Sequence, residues 1–239
     1  MSNRLPDVLS ARDLPVAELS SLRLDGELFR VGDFWSPVDL AEDANQRARA
    51  AALLVPVRAI AERLTAAWIY GLAPEPERHQ FCVHVTARAY FPPSPRFGVR
   101  EVACPPEDTI RIGARPSSTR AREDPAHRVI RAEGLLVTRP MRTAIDLARW
   151  PPPELTVPAP LLAALLRLAG HPDTSAARQA CAGDRLPHTH RALIQLRAAE
   201  TAMTGLDEPD GRAGRTSRAA ILGRNGNGRD GASQPSLTR

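Results

Sequence analysis

Apolar and polar positions near the start of the chain follow first a helical spacing and then two short runs. In residues 15–24, PVAELSSLRL, apolar side chains recur every three or four positions behind a proline that suits a first helical turn. Residues 28–31 and 34–36 are short runs joined by a Gly-Asp pair, which is typical of a tight hairpin. Because a winged helix-turn-helix ends with a helix followed at once by a hairpin, residues 1–40 predict a truncated winged-helix segment.

The middle of the chain combines two alanine-rich helical segments with short strands. Residues 44–55 and 60–70 are rich in helix formers and are followed by a proline and a glycine, which end helices. In residues 81–86 side chains alternate between two faces, as in a strand. Further strand candidates are residues 99–103, 109–112 and 135–137. The pattern predicts a small mixed sheet of about four strands flanked by helices.

The stretch LLVTRPMRTAIDLARW, residues 135–150, predicts a buried strand, a turn and a strongly amphipathic helix. One helix face is apolar and includes Ile145. The opposite face carries Arg142, Asp146 and Arg149 at spacings that favour ion pairs. We interpret this face as a solvated ladder of ion pairs. The alternative, a functional trio of Arg142, Thr143 and Asp146, is less favoured, and we assign it no catalytic role.

The remaining chain contains an insertion, three further helices and a tail. Residues 113–134 are polar and rich in arginine, which predicts an inserted mobile loop. Helices are predicted over residues 159–169, 175–182 and 187–203, each bounded by glycine or proline. From residue 205 to 239 the chain has too few apolar residues for a core, so we expect a disordered tail. The predicted fold class is α+β, with a winged-helix-like segment (1–40), an α/β domain (41–204) and this tail.

All 32 basic residues are arginine, and this composition excludes several enzyme classes. Without lysine the chain has no Walker A phosphate loop, no Schiff-base site and no nuclease centre that requires a lysine. It also lacks hydrolase and zinc-protease motifs, so we expect neither an enzyme nor a cofactor. Cys82, His84 and Cys104 are the one candidate for a metal site, but we expect none there, because zinc prefers about four ligands and Cys-x-His is not a usual chelating spacing.

Charge is spread unevenly along the chain. Residues 1–40 contain four arginines against seven acids, whereas residues 111–150 contain nine arginines against four acids. The basic excess therefore lies in the middle, where it would attract nucleic acid. Because no apolar run reaches the length of a membrane span and the first ten residues lack a signal-peptide core, we expect a cytoplasmic protein that does not bind membranes.

Four pieces of the sequence stand in a recognisable order. They are LDGELFRVGDFW at residues 24–35, RARAAALLVP at 47–56, LTAAWIYGL at 64–72 and VTRPMRTAIDLAR at 137–149. Together they resemble the AbiEi-type antitoxins of bacterial type IV toxin-antitoxin systems, in the divergent actinobacterial form. The resemblance implies a winged-helix DNA-binding domain and an α/β antitoxin domain. It further implies a transcriptional autorepressor that neutralises a nucleotidyltransferase-like toxin without a stable complex.

On this interpretation the partner is double-stranded DNA of the protein's own promoter. The candidate contacts are arginines of the N-terminal segment and of the insertion: Arg12, Arg23, Arg30, Arg115, Arg120, Arg122 and Arg128. The competing interpretation is ordinary surface arginine in a chain that uses no lysine. Two alternatives to a regulator stay open. One is a non-DNA-binding interaction or orphan protein, and the other is the remnant of a relative with a Vsr-like endonuclease domain.

Overall fold

The computed structural model describes residues 6–56, 58–87, 91, 93–114, 134–150, 157–183 and 187–206. Within these ranges the chain is an α+β protein with seven α-helices and seven strands, which confirms the predicted fold class. The winged-helix interpretation of residues 1–40 stays a prediction.

The N-terminal pattern forms the predicted helix and hairpin. Helix α1 spans Val16–Leu24, and strands β1 (Leu28–Val31) and β2 (Phe34–Pro37) pair antiparallel. The backbone of Gly32 has a φ of 60°, the left-handed conformation that a two-residue hairpin turn favours. A small apolar cluster holds helix and hairpin together, and its buried members are Leu9, Leu19, Leu28 and Trp35.

A five-stranded mixed sheet forms the centre of the chain. Its strands are β3 (Ile60–Ala61), β4 (His79–His84), β5 (Phe97–Val102), β6 (Thr109–Ile112) and β7 (Leu135–Thr138). The spatial order is β5-β4-β3-β7-β6. The pairs β4 with β5 and β3 with β7 are parallel, and the other two pairs are antiparallel. All four predicted strands are present, and the sheet has one strand more than expected.

The additional strand, β3, corrects the prediction of a single helix over residues 60–70. Ile60 pairs with Cys82 of β4 on one side and with Leu136 of β7 on the other, so β3 lies in the middle of the sheet. The helix begins only at Arg63. Helix propensity is a weak local preference, and hydrogen bonding to two neighbouring strands outweighs it at this position.

Six further helices follow the hairpin along the chain. They are α2 (Ala44–Ala52), α3 (Arg63–Ile69), α4 (Pro140–Arg149), α5 (Ala159–Leu168), α6 (Ser175–Gly183) and α7 (Thr189–Leu206). A short 3-10 turn over Pro106–Asp108 leads into β6. The sequence pattern predicted a helix in each of these six regions.

Two apolar clusters meet at helix α3. Ala67 belongs to the first cluster, which contains α4 and the three C-terminal helices. Trp68 belongs to the second, which contains α2 and the sheet residues Phe81 and Val137. Since α4 packs against both α3 and α5, it joins the sheet to the C-terminal helices.

Polar contacts tie the N-terminal segment to helix α2. The Arg49 guanidinium lies 2.8 Å from the carboxylate of Asp7, and the Gln46 side-chain amide donates to the Ser36 hydroxyl over 2.9 Å. Gln46 and Ser36 are both buried, so the second contact belongs to the interior. The described residues up to Gly205 belong to one compact unit.

Two of the predicted segments fall largely outside the described part of the chain. Residues 115–133 of the arginine-rich insertion and residues 207–239 of the tail are not among the described residues. Of the helices in the described ranges, none combines the length and the apolar character that crossing a bilayer requires.

Candidate functional site

The three N-terminal arginines assigned to DNA are all exposed. Arg12 lies in the turn that precedes α1, and Arg23 lies in the last turn of α1. Arg30 of β1 stacks on the indole ring of Trp35, with its guanidinium carbon 4.6 Å from the ring centre. Helix α1 is anchored through the buried Leu19, so its remaining surface faces solvent.

The tip of the hairpin, by contrast, is engaged within the protein. Asp33 forms an ion pair with Arg96, which precedes β5, and the Arg96 Nε donates to Asp33 Oδ2 over 2.7 Å. A Cβ on Gly32 would lie 3.0 Å from the carboxylate of Glu75, so the turn also approaches the loop before β4. The tip of this hairpin is therefore held against the sheet domain. The other predicted DNA contacts, Arg115, Arg120, Arg122 and Arg128, lie outside the described residues.

The most extensive electrostatic feature of the described chain is a buried ion network between β3, β5 and α4. Its first centre is Glu62, whose side chain is 0% exposed. Glu62 Oε1 accepts from Arg63 Nε over 3.1 Å and from Arg100 Nε over 2.6 Å. Hydrogen bonds from charged donors to a charged acceptor are among the strongest in proteins. They hold β5 to the segment that joins β3 to α3.

The second centre is Asp146 of α4. Its carboxylate accepts from Arg142 Nε over 2.9 Å and from Arg149 Nη1 over 3.4 Å. Arg100 reaches from β5 to within 3.8 Å of the same carboxylate, which is ion-pair distance but too long for a hydrogen bond. Arg142 also forms an ion pair with Asp108, from the turn before β6. The network thus connects both Glu62 and Asp108 to α4.

This arrangement corrects the interpretation of the charged face of α4 as a solvated ladder. The side chains of Asp146 and Arg149 are only 1% and 3% exposed. The residues that cover this face, Arg100 and Asp108, come from segments about 40 positions earlier in the chain, so helix periodicity gave no sign of them. A strongly amphipathic helix is here buried on its polar face as well as on its apolar face.

Trp150 completes the network on its C-terminal side. The guanidinium carbons of Arg149 and Arg100 lie 3.9 and 4.4 Å from the centre of its rings. The Nε of Arg149 donates to the Pro187 carbonyl over 3.0 Å. Burial lowers the pKa of Arg149. For Arg142 burial acts in the same direction and is the largest single effect, but the charge of Asp146 and the hydrogen bonds to Asp146 and Asp108 together outweigh it, so the pKa of Arg142 is raised.

Two buried polar atoms of the network have no hydrogen-bond partner among the described residues. They are Glu62 Oε2 and Arg100 Nη2. Unsatisfied buried groups cost free energy, so the network is held in place by the packing around it as much as by its own bonds.

The cysteines are reduced and buried, and two of them are in contact. Cys82 of β4 and Cys104 lie together with Ile60 in a small apolar cluster. The hydrogen bond with Cys104 and burial raise the pKa of Cys82, whereas the same hydrogen bond lowers the pKa of Cys104. The ring of His84 bonds to the Thr86 hydroxyl. Across the described ranges, no three His, Cys, Asp or Glu side chains are grouped so that they could hold a metal ion.

A cleft of about 1080 Å³ lies between α3, the loop before β4 and α5. His79, at the start of β4, forms part of its wall. The His79 Nδ1 is 3.4 Å from the Thr65 hydroxyl, and its Nε2 is 3.2 Å from Glu75 Oε1. Because burial lowers the pKa of His79, its imidazole is neutral at pH 7. The Thr65 hydroxyl also accepts from the backbone N–H of Gln80 over 2.7 Å, which gives it a structural role.

Arg63 belongs to both the ion network and the cleft. It is the first residue of α3 and has a φ of 47°, a left-handed conformation that costs a residue with a side chain about 1 to 3 kcal/mol. The bond to Glu62 and the bond from the Leu64 N–H to Gln80 Oε1, at 3.0 Å, hold the backbone in this conformation. The place of Glu62, Arg63 and Arg100 in the network was not predicted from the sequence, because nothing in their local pattern distinguishes them from surface residues.

The structure thus defines an α+β protein with an exposed helix-hairpin module, a buried ion network and an adjacent cleft. No family model matches the chain. No curated protein sequence shows significant similarity to it. Among solved structures, the chain is similar to one described as "Crystal structure of RV2827C protein from Mycobacterium tuberculosis", with 18% identity over 83% of this chain and 74% of that chain. The TM-score of 0.37 is too low for an argument about function.

Proposed function

We propose that this protein is a DNA-binding transcriptional regulator of the AbiEi antitoxin type, which acts on its own promoter. The observation that supports this proposal is the exposure of Arg12, Arg23 and Arg30 on one helix-hairpin module. The resemblance of four ordered sequence pieces to AbiEi-type antitoxins points in the same direction. On this proposal the protein has no catalytic activity or cofactor of its own, and it neutralises its toxin without a stable complex.

The proposal divides DNA recognition between two sets of arginines. Arg23 is the single basic side chain of α1, so it is the candidate for a base edge in the major groove. Arg12 and Arg30 would contact phosphates. Since residues 1–40 carry four arginines against seven acids, their net charge is −3, and tight binding by this segment alone is not expected. The arginines of the insertion, at positions 115, 120, 122 and 128, would supply the remaining electrostatic attraction.

The experiment that tests this division is a titration of the protein and its variants against the promoter fragment over a range of salt concentrations. Replacing the four insertion arginines by alanine should reduce the log–log salt slope by several units. Arg23→Ala should instead change the preference at one base pair by about 1 to 3 kcal/mol and leave the slope nearly unchanged. Arg197→Ala, on the exposed surface of α7, is the matched control and should change neither quantity. If all variants lose affinity equally, this division of roles is wrong.

A second candidate function is an interaction protein that does not bind DNA. The observation that favours it is the hairpin tip, which Arg96 holds through Asp33, so the tip is not available to enter a groove. Large apolar side chains are also exposed on the same module, with Leu24 85%, Val38 56% and Val16 53% exposed. Such residues are typical of protein interfaces when they are grouped. A protein that lacks promoter binding in the titration would have this second function.

A further inference from the structure

The ion network carries more positive than negative charge, and one of its arginines, Arg63, also lines the cleft. Among the ion pairs of the described residues, its members are the guanidinium groups of Arg63, Arg100, Arg142 and Arg149 and the carboxylates of Glu62, Asp108 and Asp146. Four positive and three negative charges give a net charge of +1. A buried or half-buried charge is costly unless a partner of opposite sign compensates it.

Arg63 is the member of the network that faces the cleft. The lining of the cleft includes Arg63 but none of the other six network residues. Its side chain is 18% exposed, and only its Nε is bonded to Glu62. The two terminal nitrogens of its guanidinium are thus the donors that it can offer to a ligand in the cleft. A planar guanidinium edge is well suited to binding a carboxylate with two parallel hydrogen bonds.

Gln80 supplies a second donor to the same cleft. Its side-chain oxygen accepts from the Leu64 N–H over 3.0 Å, so the orientation of its amide is fixed and its NH₂ group is left as a donor. The cleft also contains acidic side chains, among them Glu75, whose carboxylate oxygen lies 3.2 Å from the neutral His79 ring. Glu77 and Arg78 are exposed and have opposite charges. Arg63 and Gln80, the less exposed polar groups, are hydrogen-bond donors. The cleft therefore favours an anionic ligand.

The rest of the cleft wall is largely apolar. It is formed by α3, the loop before β4 and α5, and its apolar residues include Leu64, Leu72, Ala73, Leu161 and Ala164. A volume of about 1080 Å³ is at the upper end of the range for small-molecule sites. A largely apolar wall with a small number of fixed polar groups is the usual construction of such sites.

From this charge balance and geometry we propose that the cleft binds a small carboxylic acid with an apolar body. The carboxylate contacts Arg63 and Gln80, and the body packs against the leucine and alanine side chains of α3 and α5. This binding goes beyond the proposed function at DNA, since no N-terminal arginine lines the cleft. It is therefore tested separately, on the full-length protein without DNA.

The test compares three probes that share a naphthalene body: 1-naphthaleneacetate, 1-naphthaleneacetamide and 1-naphthylmethylamine, which are anionic, neutral and cationic. Isothermal titration at constant ionic strength should show saturable binding of the acetate to one site. Its affinity should exceed that of the amide by about tenfold or more, as expected for a charged hydrogen-bonded pair. The cationic amine should bind more weakly than the amide.

Two variants remove the two donors in different ways. Arg63→Gln removes the charge and should bring the affinity for the acetate down to that for the amide. Gln80→Glu retains an oxygen for the Leu64 N–H but places a negative charge in the cleft, so it should reverse the preference towards the amine. Arg197→Gln, on the surface of α7, is the control and should leave all three affinities unchanged. Circular dichroism establishes that each variant is folded.

The proposal is contradicted if the wild-type protein binds the acetate no better than the amide, or does not bind it saturably. It is equally contradicted if a folded Arg63→Gln or Gln80→Glu variant retains the preference for the acetate. Should Arg63→Gln fail to fold because the Glu62 bond is lost, the Gln80→Glu variant decides alone. None of these outcomes depends on promoter binding.

Discussion

Replacing Asp146 by asparagine is expected to destabilise the protein strongly, because this carboxylate is the centre of the buried network. The substitution keeps the volume of the side chain but removes its charge. Arg142 still has Asp108 as an ionic partner, whereas Arg149 is left with the Pro187 carbonyl. The new amide NH₂ group would also face a guanidinium. Both groups are hydrogen-bond donors, so neither would satisfy the other.

The expected loss follows from the burial of the pair. Breaking a buried ion pair by removing one partner costs about 3 to 5 kcal/mol, since the remaining charge stays buried without compensation. Both Asp146 and Arg149 are almost fully buried, which places Asp146→Asn in this range. The free energy of unfolding is measured by urea titration, with the slope m compared between variants to establish that the unfolded surface is the same.

Glu200→Gln provides the matched control. Glu200 pairs with Arg178 at 3.2 Å, a similar distance, but the two side chains are 39% and 40% exposed. An exposed pair contributes about 0 to 1 kcal/mol. If Asp146→Asn costs less than about 1 kcal/mol, and no more than Glu200→Gln, then the network is solvated and the structural argument fails.

Three further predictions concern stability and activity. Ile145→Ala should cost about 2 to 5 kcal/mol in a urea titration, because Ile145 is buried between helices, and a loss under about 1 kcal/mol would contradict this packing. Removing residues 207–239 should leave the free energy of unfolding unchanged, and a destabilised truncation would refute this. The protein should also show no metal-dependent DNA cleavage, and cleaved DNA would refute that. Below about pH 6.5 stability should fall by up to about 1.4 kcal/mol per pH unit, because the pKa of His79 is lowered and the unfolded chain binds the proton more readily. His79→Gln should remove this pH dependence. The control variant His190→Gln, at an exposed histidine, should retain it.

The sequence predicted those elements whose signal is local. Residues 81–84 of the predicted alternation and the apolar run at 135–137 lie in strands of the sheet, and the strand at 109–112 has the predicted bounds. These segments are alternating or short apolar runs bounded by turn residues, a local pattern that favours a strand. The hairpin was predicted equally well, because its Gly-Asp turn and the two short runs on either side of it both indicate a hairpin.

What the sequence did not predict depends on partners far along the chain. Ile60 is in a strand because β4 and β7 lie on either side of it, and Asp146 is buried because Arg100 covers it. Neither cause appears within a window of ten or fifteen residues. The cleft was missed for the same reason, since Arg63 and Gln80 meet only after β3 and β4 have paired.

Promoter binding tests the proposed function most directly. The purified full-length protein is titrated against a fragment of its own promoter and against a scrambled fragment of the same length, at about 50 and 200 mM salt. The proposal predicts binding to both fragments at the lower salt, tighter for the promoter, with a steep loss of affinity at the higher salt. Absence of promoter binding even at about 50 mM salt would contradict the proposal of a transcriptional regulator and favour the second candidate function, an interaction protein that does not bind DNA.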